Sequence, residues 1–465
     1  MSIHDLTQVY LIGIGGIGMS ALARYFVAAG KTVAGFDRTP SDLTKALEKE
    51  GIDIHYRDDI AFIPPDFKKK SLKDSTLVIF TPAISNSHSE LIYFMKNGYS
   101  IYKRAHALGL IAKDKDTIAI AGTHGKTTTT TLVAHILKTA GKQTLAFLGG
   151  ISKNYDTNLL LTKRKTDYIV AEADEYDRSF LSLYPQIAVV TAVDADHLDI
   201  FGSLAEVKKS FTDFVDQIKK DGVLIYKKGI DLKVHNKQIK TFTYSITDKT
   251  ADFYADKIKV KDGLYVFDFV SAKKSIDSLE LGLPGRINVE NAVGAIAASL
   301  FAGAGVRDIR KAVKSYQGVK RRFDVILKTK DLIMIDDYAH HPVELKASIE
   351  SIRELFPKKR ITGIFQPHLY SRTRDFADDF AASLDLLDEC IVLDIYPARE
   401  VAIPGVTSEM IIRRMKIKSK YTCTKNDVLK CVLKLKPELL VTFGAGNIDK
   451  ISKPIKQQFE KQTGK

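Results

Sequence analysis

Ile118-Ala-Ile-Ala-Gly-Thr-His-Gly-Lys-Thr-Thr-Thr-Thr-Thr131 is the stretch around which the rest of the chain is read. Its apolar, β-branched start, Thr117 to Ala121, predicts a buried strand. Gly122 and Gly125 break that strand, and Thr127 to Leu137 predicts a helix. Strand, glycine turn and a helix opening on Gly-Lys-Thr make a phosphate-binding loop: backbone N–H groups at the helix start face an anion, Lys126 adds a charge, and the Thr127 hydroxyl suits Mg²⁺. The common loop has a glycine five residues ahead of its Gly-Lys pair. Here Ile120 stands there, so the loop is the shorter Gly122-Thr123-His124-Gly125-Lys126-Thr127-Thr128. The plain alternative is a glycine turn capping an ordinary helix.

Upstream, Val9 to Gly13 predicts a strand, followed by Gly13-Ile-Gly15-Gly16-Ile-Gly18, a helix through Ala21 to Ala29, and a strand Thr32 to Phe36 ending at Asp37. This is a G-x-G-x-x-G fingerprint with an acid placed for a ribose hydroxyl. The pattern does not separate NAD or FAD from another nucleotide diphosphate. Strand Leu77 to Phe80 leads into Thr81-Pro-Ala-Ile-Ser-Asn86, at the sheet edge where open α/β folds bind ligands. Lys103-Arg104-Ala-His106 closes the region, with Arg104 either a ligand contact or a surface charge.

Downstream, strand Tyr168 to Ala171 ends in Glu172-Ala-Asp174-Glu175-Tyr-Asp177, and Ile187 to Thr191 ends in Asp194-Ala-Asp196-His197-Leu-Asp199. Carboxylates on strand ends beside a phosphate loop are where a nucleotide's metal is held, although isolated acidic strand ends are usually solvated caps. Asp221 to Leu281 reads as short alternating strands, an antiparallel excursion at the sheet edge, without chemistry. Asn288 and Asn291 open an Ala-rich helix, where an Asn is ordinarily a cap. A further unit begins near Gly318. Its strands run into Asp336-Asp337-Tyr-Ala-His340-His341, Gln366-Pro-His368-Leu-Tyr-Ser-Arg372, Asp394-Ile-Tyr-Pro and Gly444-Ala-Gly446. Strands separated by helical stretches predict a parallel sheet with every polar cluster on one edge.

The chain of 465 residues is 45% hydrophobic and 27% charged, so it is expected to be globular and to hold about three domains. It shows no bilayer-length apolar run and no signal-peptide pattern, so cytoplasmic residence without membrane insertion is expected. The net charge of +14 comes from scattered lysines rather than a basic stripe, so no nucleic-acid partner is expected. Cys390, Cys423 and Cys431 fit neither a disulfide framework nor a zinc spacing, and are expected to be buried thiols.

Taken together, Gly-Ile-Gly-Gly-Ile-Gly-Met-Ser, Gly-Thr-His-Gly-Lys-Thr-Thr-Thr-Thr, Glu-Ala-Asp-Glu, Asp-His-Leu-Asp, Asp-Asp-Tyr-Ala-His-His-Pro and Phe-Gln-Pro-His-x-Tyr-Ser-Arg-Thr-Arg resemble the Mur ligases over the whole chain. The resemblance implies an α/β protein of three domains: a Rossmann-like UDP-substrate domain (1–112), a central P-loop ATPase-type domain (113–318) and a Rossmann-like amino-acid domain (319–465). Within the family it implies the branch in which ATP phosphorylates the lactyl carboxylate of UDP-N-acetylmuramate and L-alanine attacks the acyl phosphate. A recycling ligase that attaches a whole murein peptide is the nearest rival. The implied partners are UDP-N-acetylmuramate, L-alanine and ATP, with Mg²⁺ (two ions, Mn²⁺ as a substitute), in a monomer or weak homodimer.

The resemblance also implies roles. Gly13, Gly15, Gly16 and Gly18, with Asp37, Thr81 and Arg104, would serve the UDP substrate. Gly122 to Thr128 would hold ATP, Lys126 gripping the β- and γ-phosphates and Thr127 the metal. Glu172 and His197 would hold a second metal. Asn291, Arg322, Asp337 and His340 would reach the nucleotide, and His368 and Arg372 the alanine or the transferred phosphate. Relatives carry an Arg where this chain has Leu369, so Arg399 is a candidate replacement. No lysine matches the carbamylated one of sister ligases, and none is expected to be used. Lys126 and the His340 and Arg372 clusters fall in different units, so closure between units is expected. Two further classes stand on single features: an NAD-dependent oxidoreductase, which leaves the Gly-Lys-Thr loop unexplained, and a nucleic-acid-stimulated ATPase.

Overall fold

The computed structural model describes residues 3–162, 164–195, 198–398 and 400–462. The chain divides into two compact units, the first holding 1–256, 269–277 and 291–313, the second 257–268, 278–290 and 314–465.

Within the first unit, β1 (Gln8–Ile12), β2 (Thr32–Phe36), β3 (Asp53–His55), β4 (Thr76–Phe80) and β5 (Ser100–Lys103) form a sheet of order β3-β2-β1-β4-β5. Its four strand pairings are all parallel. β1 is buried along its whole length, as its apolar run requires, and the Gly13–Gly18 turn leaves its carboxyl end.

A ten-stranded sheet follows: β6 (Asp116–Ala121), β7 (Thr144–Ser152), β8 (Thr157–Leu160), β9 (Tyr168–Glu172), β10 (Ile187–Val190), β11 (Val223–Lys227), β12 (Lys240–Ser245), β13 (Phe253–Lys261), β14 (Leu264–Ser271) and β15 (Ile276–Leu281). The order is β15-β14-β13-β12-β11-β10-β6-β9-β7-β8. Segments of β13 to β15 are counted in each unit. The phosphate loop leaves β6 near the middle of this sheet, between β9 and β10. The expected antiparallel excursion is only partly right: β10–β11, β11–β12 and β12–β13 are all parallel. Two-residue alternation reports a half-exposed strand, not its direction, which is why the pattern misleads here. At Asp262-Gly263 both residues have positive φ, as a tight hairpin turn demands.

Apolar residues of both sheets and of the helices packed on them, among them Leu11, Leu22, Ala119, Ala171 and Phe211, share one buried cluster. The helix Ile17–Ala28 is tied to β8 through Asn158, fully buried, whose amide donates to Ile17 O (2.6 Å) and Ser20 Oγ (2.9 Å).

In the second unit, β16 (Asp324–Lys328), β17 (Ile333–Asp337), β18 (Ile361–Phe365), β19 (Glu389–Leu393), β20 (Ser419–Cys423) and β21 (Leu439–Phe443) form a sheet of order β16-β17-β21-β18-β19-β20. All pairings are parallel except β16–β17, so the polar clusters after β17, β18, β19 and β21 share one edge. Cys390 is buried as expected. Cys423 and Cys431 are only half-buried, and their sulfurs lie 3.2 Å apart. One residue ends an edge strand and the other lies on the next helix, a contact that eight residues of sequence separation do not announce. Among the described residues no helix is long and apolar enough to cross a membrane.

Candidate active site

Gly122 has φ +137° and Gly125 φ +80°, both in the region that glycine tolerates. Gly125 is the last residue before the helix Lys126–Thr139, so the chain turns there and aims the helix start into the loop. A side chain at Gly125 would meet Asn291 Oδ1 at 2.5 Å. The sequence-predicted Asn291 is thus at the loop. It lies beyond the first turn of the helix Arg286–Phe301, so it is not the cap its type suggests. Thr191 pins the far side by a short hydrogen bond to the His124 carbonyl, and Thr123 N–H donates to Ala192 O at 3.0 Å.

Lys126 Nζ donates to Gly122 O at 2.6 Å and lies 2.8 Å from both carboxylate oxygens of Glu175. Lys126 is 13% exposed and Glu175 1%. Burial alone would lower the Lys126 ammonium, but the Glu175, Asp174 and Glu172 carboxylates outweigh it and hold the pKa above the ordinary lysine range. Burial pushes the Glu175 carboxyl up, against the pull of Lys126.

Thr127 Oγ1 donates to Glu172 Oε2 at 2.9 Å. Glu172 closes β9, and its carboxylate occupies the space beside Gly149 where any side chain would collide with it. On the other side, Asp194 receives Thr123 Oγ1 at 3.4 Å and stands 3.6 Å from His124 Nε2. This all-oxygen pair, Thr127 and Glu172, suits a hard divalent cation such as Mg²⁺ or Mn²⁺. Among the described residues no three His, Cys, Asp or Glu side chains converge as a metal site. His197, the expected partner of Glu172, lies outside the described residues, as does Arg399.

The first glycine turn is built the same way. Gly15 N–H donates to Asp37 Oδ2 (2.8 Å), and Thr39 N–H to Asp37 Oδ1 (3.1 Å), so Asp37 braces the turn itself. Gly13 leaves room for the Thr81 methyl, and Gly18 for the Arg104 guanidinium, at 2.5 and 2.9 Å from where a Cβ would stand. A Cβ at Gly16 would make only ordinary contacts, with Gly13 O at 3.6 Å and the Met19 side chain at 3.8 Å. Arg104 continues to Asp174 Oδ2 (3.0 Å), and Lys103 to Asp177 Oδ2 (2.6 Å). Thus the two sequence-predicted loops of the first unit meet through Arg104 and the acidic run after β9.

The second unit gathers its own cluster. Arg322 lies over the Tyr338 ring (4.6 Å) and 4.0 Å from Glu344. Glu344 also receives the His340 backbone N–H (3.1 Å) and stands 3.2 Å from His340 Nδ1. The His340 and His368 rings are 5.9 Å apart, and His368 stacks on Tyr396 at 5.6 Å. Arg372 is buried in the helix that follows Leu369. Leu369 has φ +73°, a strained value for a branched side chain. Asp337 is buried and receives Ser348 Oγ at 2.5 Å; burial raises its pKa. Arg321 also lies over the Tyr338 ring (5.1 Å), donates to Gly444 O (2.7 Å) and stands 3.5 Å from Asp336.

Three family models cover the chain: Mur ligase family, catalytic domain, over residues 8–116; Mur ligase middle domain, over 120–299; and Mur ligase, glutamate ligase domain, over 321–446. The chain belongs to the Mur ligase family. A UDP-N-acetylmuramate–L-alanine ligase of Parabacteroides distasonis is 50% identical over the full length of both chains. One of Porphyromonas gingivalis is 47% identical over 98% of this chain and 99% of its own. The crystal structure of UDP-N-acetylmuramate-alanine ligase from Thermotoga maritima matches with a TM-score of 0.82 at 27% identity, covering 98% and 100%. A murein peptide ligase from Psychrobacter arcticus shares the fold, with a TM-score of 0.70 at 24% identity over 97% and 98%. The expected three-domain α/β architecture of the Mur ligases is therefore present.

Sequence reasoning named Lys126, Thr127, Glu172 and Asn291, and these come together. In sequence, Asp174 and Glu175 carry only the shared reading of an acidic strand end beside a metal, and Gly149, Tyr338, Glu344 and Tyr396 carry none. The acidic run after β9 is legible as a run. Which carboxylate takes the lysine depends on the turn of that loop, where Asp177 and Arg178 both adopt positive φ.

Proposed function

We propose that this chain is an ATP-dependent ligase that joins L-alanine to the lactyl carboxylate of UDP-N-acetylmuramate in cytoplasmic peptidoglycan-precursor synthesis. One observation carries the reading. Lys126 and Thr127, at one helix start, face Glu175 and Glu172, while Arg104, seated against Gly18 of the first glycine turn, reaches Asp174 in the same acidic run. A phosphate loop and a second anion-binding turn are thereby joined in one unit. Full-length likeness to relatives named for this reaction supports the choice of substrates.

The chemistry follows from charge. A carboxylate and a terminal phosphate must meet, and their repulsion has to be neutralised. We assign Lys126 to the β- and γ-phosphates, exchanging its Glu175 partner for them. Thr127 and Glu172 would hold Mg²⁺, with His197 completing a second site; the bound metal supplies charge neutralisation between the two anions. The backbone N–H groups from Gly122 to Thr128 cradle the phosphates. Gly13 to Gly18, Thr81 and Arg104 hold the UDP substrate. Asn291, Arg322, Asp337 and His340 serve the nucleotide, and His368 and Arg372 orient the alanine. The alanine amine attacks the acyl phosphate, forming the amide and releasing phosphate. The division of labour is drawn at residues 112/113 and 318/319, and the working form is a monomer or weak homodimer. The test is phosphate release with ATP, UDP-N-acetylmuramate and single amino acids; no alanine-dependent release would end this reading.

A further inference from the structure

Cys423 is the last residue of β20, an edge strand, and pairs with Leu393 at the end of β19. Cys431 lies on the helix Val428–Leu435 that follows. Their sulfurs are 3.2 Å apart and both residues are half-buried, within reach of a small solute. A disulfide needs about 2.05 Å between sulfurs, so closing it requires a movement of roughly 1 Å.

The four residues bridging strand and helix would take up that movement. They are held by Thr424 Oγ1 to Asp427 Oδ2 (2.7 Å), and they include Lys425. Lys425 makes a short hydrogen bond to Asn447 Oδ1 and stands 5.7 Å from the Tyr396 ring centre. Asn447 Oδ1 also accepts from Gln366 Nε2 (3.3 Å), and Tyr396 is the ring stacked on His368. Leu369 N–H donates to Tyr396 O at 2.9 Å, so the same residue fixes the chain that leads into Arg372. Thus a shift beside Cys423 reaches both Gln366 and His368 through a single lysine.

We propose that Cys423 and Cys431 form a redox-modification site, closing to an intramolecular disulfide that alters capture of the amino acid by the His368–Arg372 segment. The effect on the amino acid rests on the functional reading above; formation of the disulfide does not. The oxidant is a small disulfide. The Cys431 thiolate attacks it and expels one small thiolate, and the Cys423 thiol, which burial pushes up to about 12, then gives up its proton as its sulfur attacks the mixed disulfide and expels the other. The two protons of the protein thiols end on the two small thiols. The dithiol loses two electrons, and the small disulfide gains them.

The experiment equilibrates the full-length protein with mixtures of oxidised and reduced glutathione, quenches with acid, and reads intact mass and the linked peptides. The expected product has lost the mass of two hydrogens and carries a Cys423–Cys431 link, with Cys390 still free. In that form the KM for L-alanine should shift by about fivefold or more while ADP affinity is unchanged. Added dithiol should reverse the shift, and Cys431→Ser and Cys423→Ser should each abolish link and shift together. Absence of the link in the most oxidising mixture, or separate glutathione adducts on the two cysteines, would overturn the site. A link formed with the L-alanine KM unmoved would overturn its coupling to the amino acid. Absence of alanine-dependent turnover even in fully reduced protein would instead fall on the functional reading, and the mass measurement would still decide the link.

Discussion

Lys126 Nζ is held 2.8 Å from each carboxylate oxygen of Glu175, a residue with almost no exposed surface. The cation that should meet the triphosphate is therefore already paired. In the ligand-free protein the pair spares each partner a buried, unpaired charge; on the proposed role, nucleotide binding would exchange one anion for another at Lys126 and leave Glu175 without its cation.

Removing the cation should cost catalysis and leave the other substrate alone. Lys126→Ala is expected to lower turnover roughly 10²–10³-fold, the size seen when one preorganised charge is lost. UDP-N-acetylmuramate affinity, measured by calorimetry, should hold. Lost affinity for that substrate would mean that the first glycine turn is not its site.

Neutralising the competitor should act in the opposite sense. Glu175→Gln keeps a hydrogen-bond acceptor for Lys126 but removes the charge that holds it. Tighter ADP binding by calorimetry is expected, with a ligand-free fold weakened by about 1–3 kcal/mol in denaturant titrations. Weaker ADP binding would show that Glu175 organises the nucleotide site instead of competing with it.

Gly149 earns its place by having no side chain. Gly149→Ala would drive a methyl into the Glu172 carboxylate. The variant should therefore need more Mg²⁺ for half-maximal activity, and Glu172→Gln should show the same phenotype. Withdrawal of the metal by a chelator should abolish phosphate release in the unaltered protein. An unchanged Mg²⁺ requirement in both variants would remove Glu172 from the metal.

A pH signature lies elsewhere in the first unit. Tyr10 donates to the buried Glu90 carboxylate at 2.8 Å, and burial raises that carboxyl from 4.5 to about 8. Between these values the folded state keeps a proton that the unfolded state has lost. Its contribution is complete below the unfolded value and fades as pH rises through about 8, by up to about 1.4 kcal/mol per pH unit. His55 and His88, both lowered by burial, act with the opposite sign; His88 is common to wild type and variant, whereas His55 Nε2 stands 3.2 Å from Glu90 Oε1, so the comparison is made in a His55→Gln background as well. Glu90→Gln should gain stability relative to wild type as pH climbs from about 5 to 8. Parallel melting curves at both pH values would contradict this.

Much of the fold was legible because its strands are continuous apolar runs: Thr32–Phe36, Ile361–Phe365 and Leu439–Phe443 fall where the sequence puts them. β20, Ser419–Cys423, was not legible, since an edge strand with exposed Tyr421 and Thr422 side chains lacks an apolar run. The site divides the same way. Gly122, Gly125 and Lys126 announce themselves because backbone conformation and charge demand those residue types. The Glu175 and Asp174 pairings escape sequence reading because they depend on how one irregular loop folds back, and no periodicity encodes that.

The apolar cluster shared by the first two sheets, seamed by Asn158, bears on how the polypeptide could be taken apart. A fragment beginning at residue 113 would inherit one wall of an interior and present Phe147, which packs on Tyr25, and the β8 residue Leu159 to water. Its natural cutting point is therefore not where the first nucleotide-type motif stops, and a truncation designed from motif boundaries alone would yield a sticky remnant instead of a working ATPase.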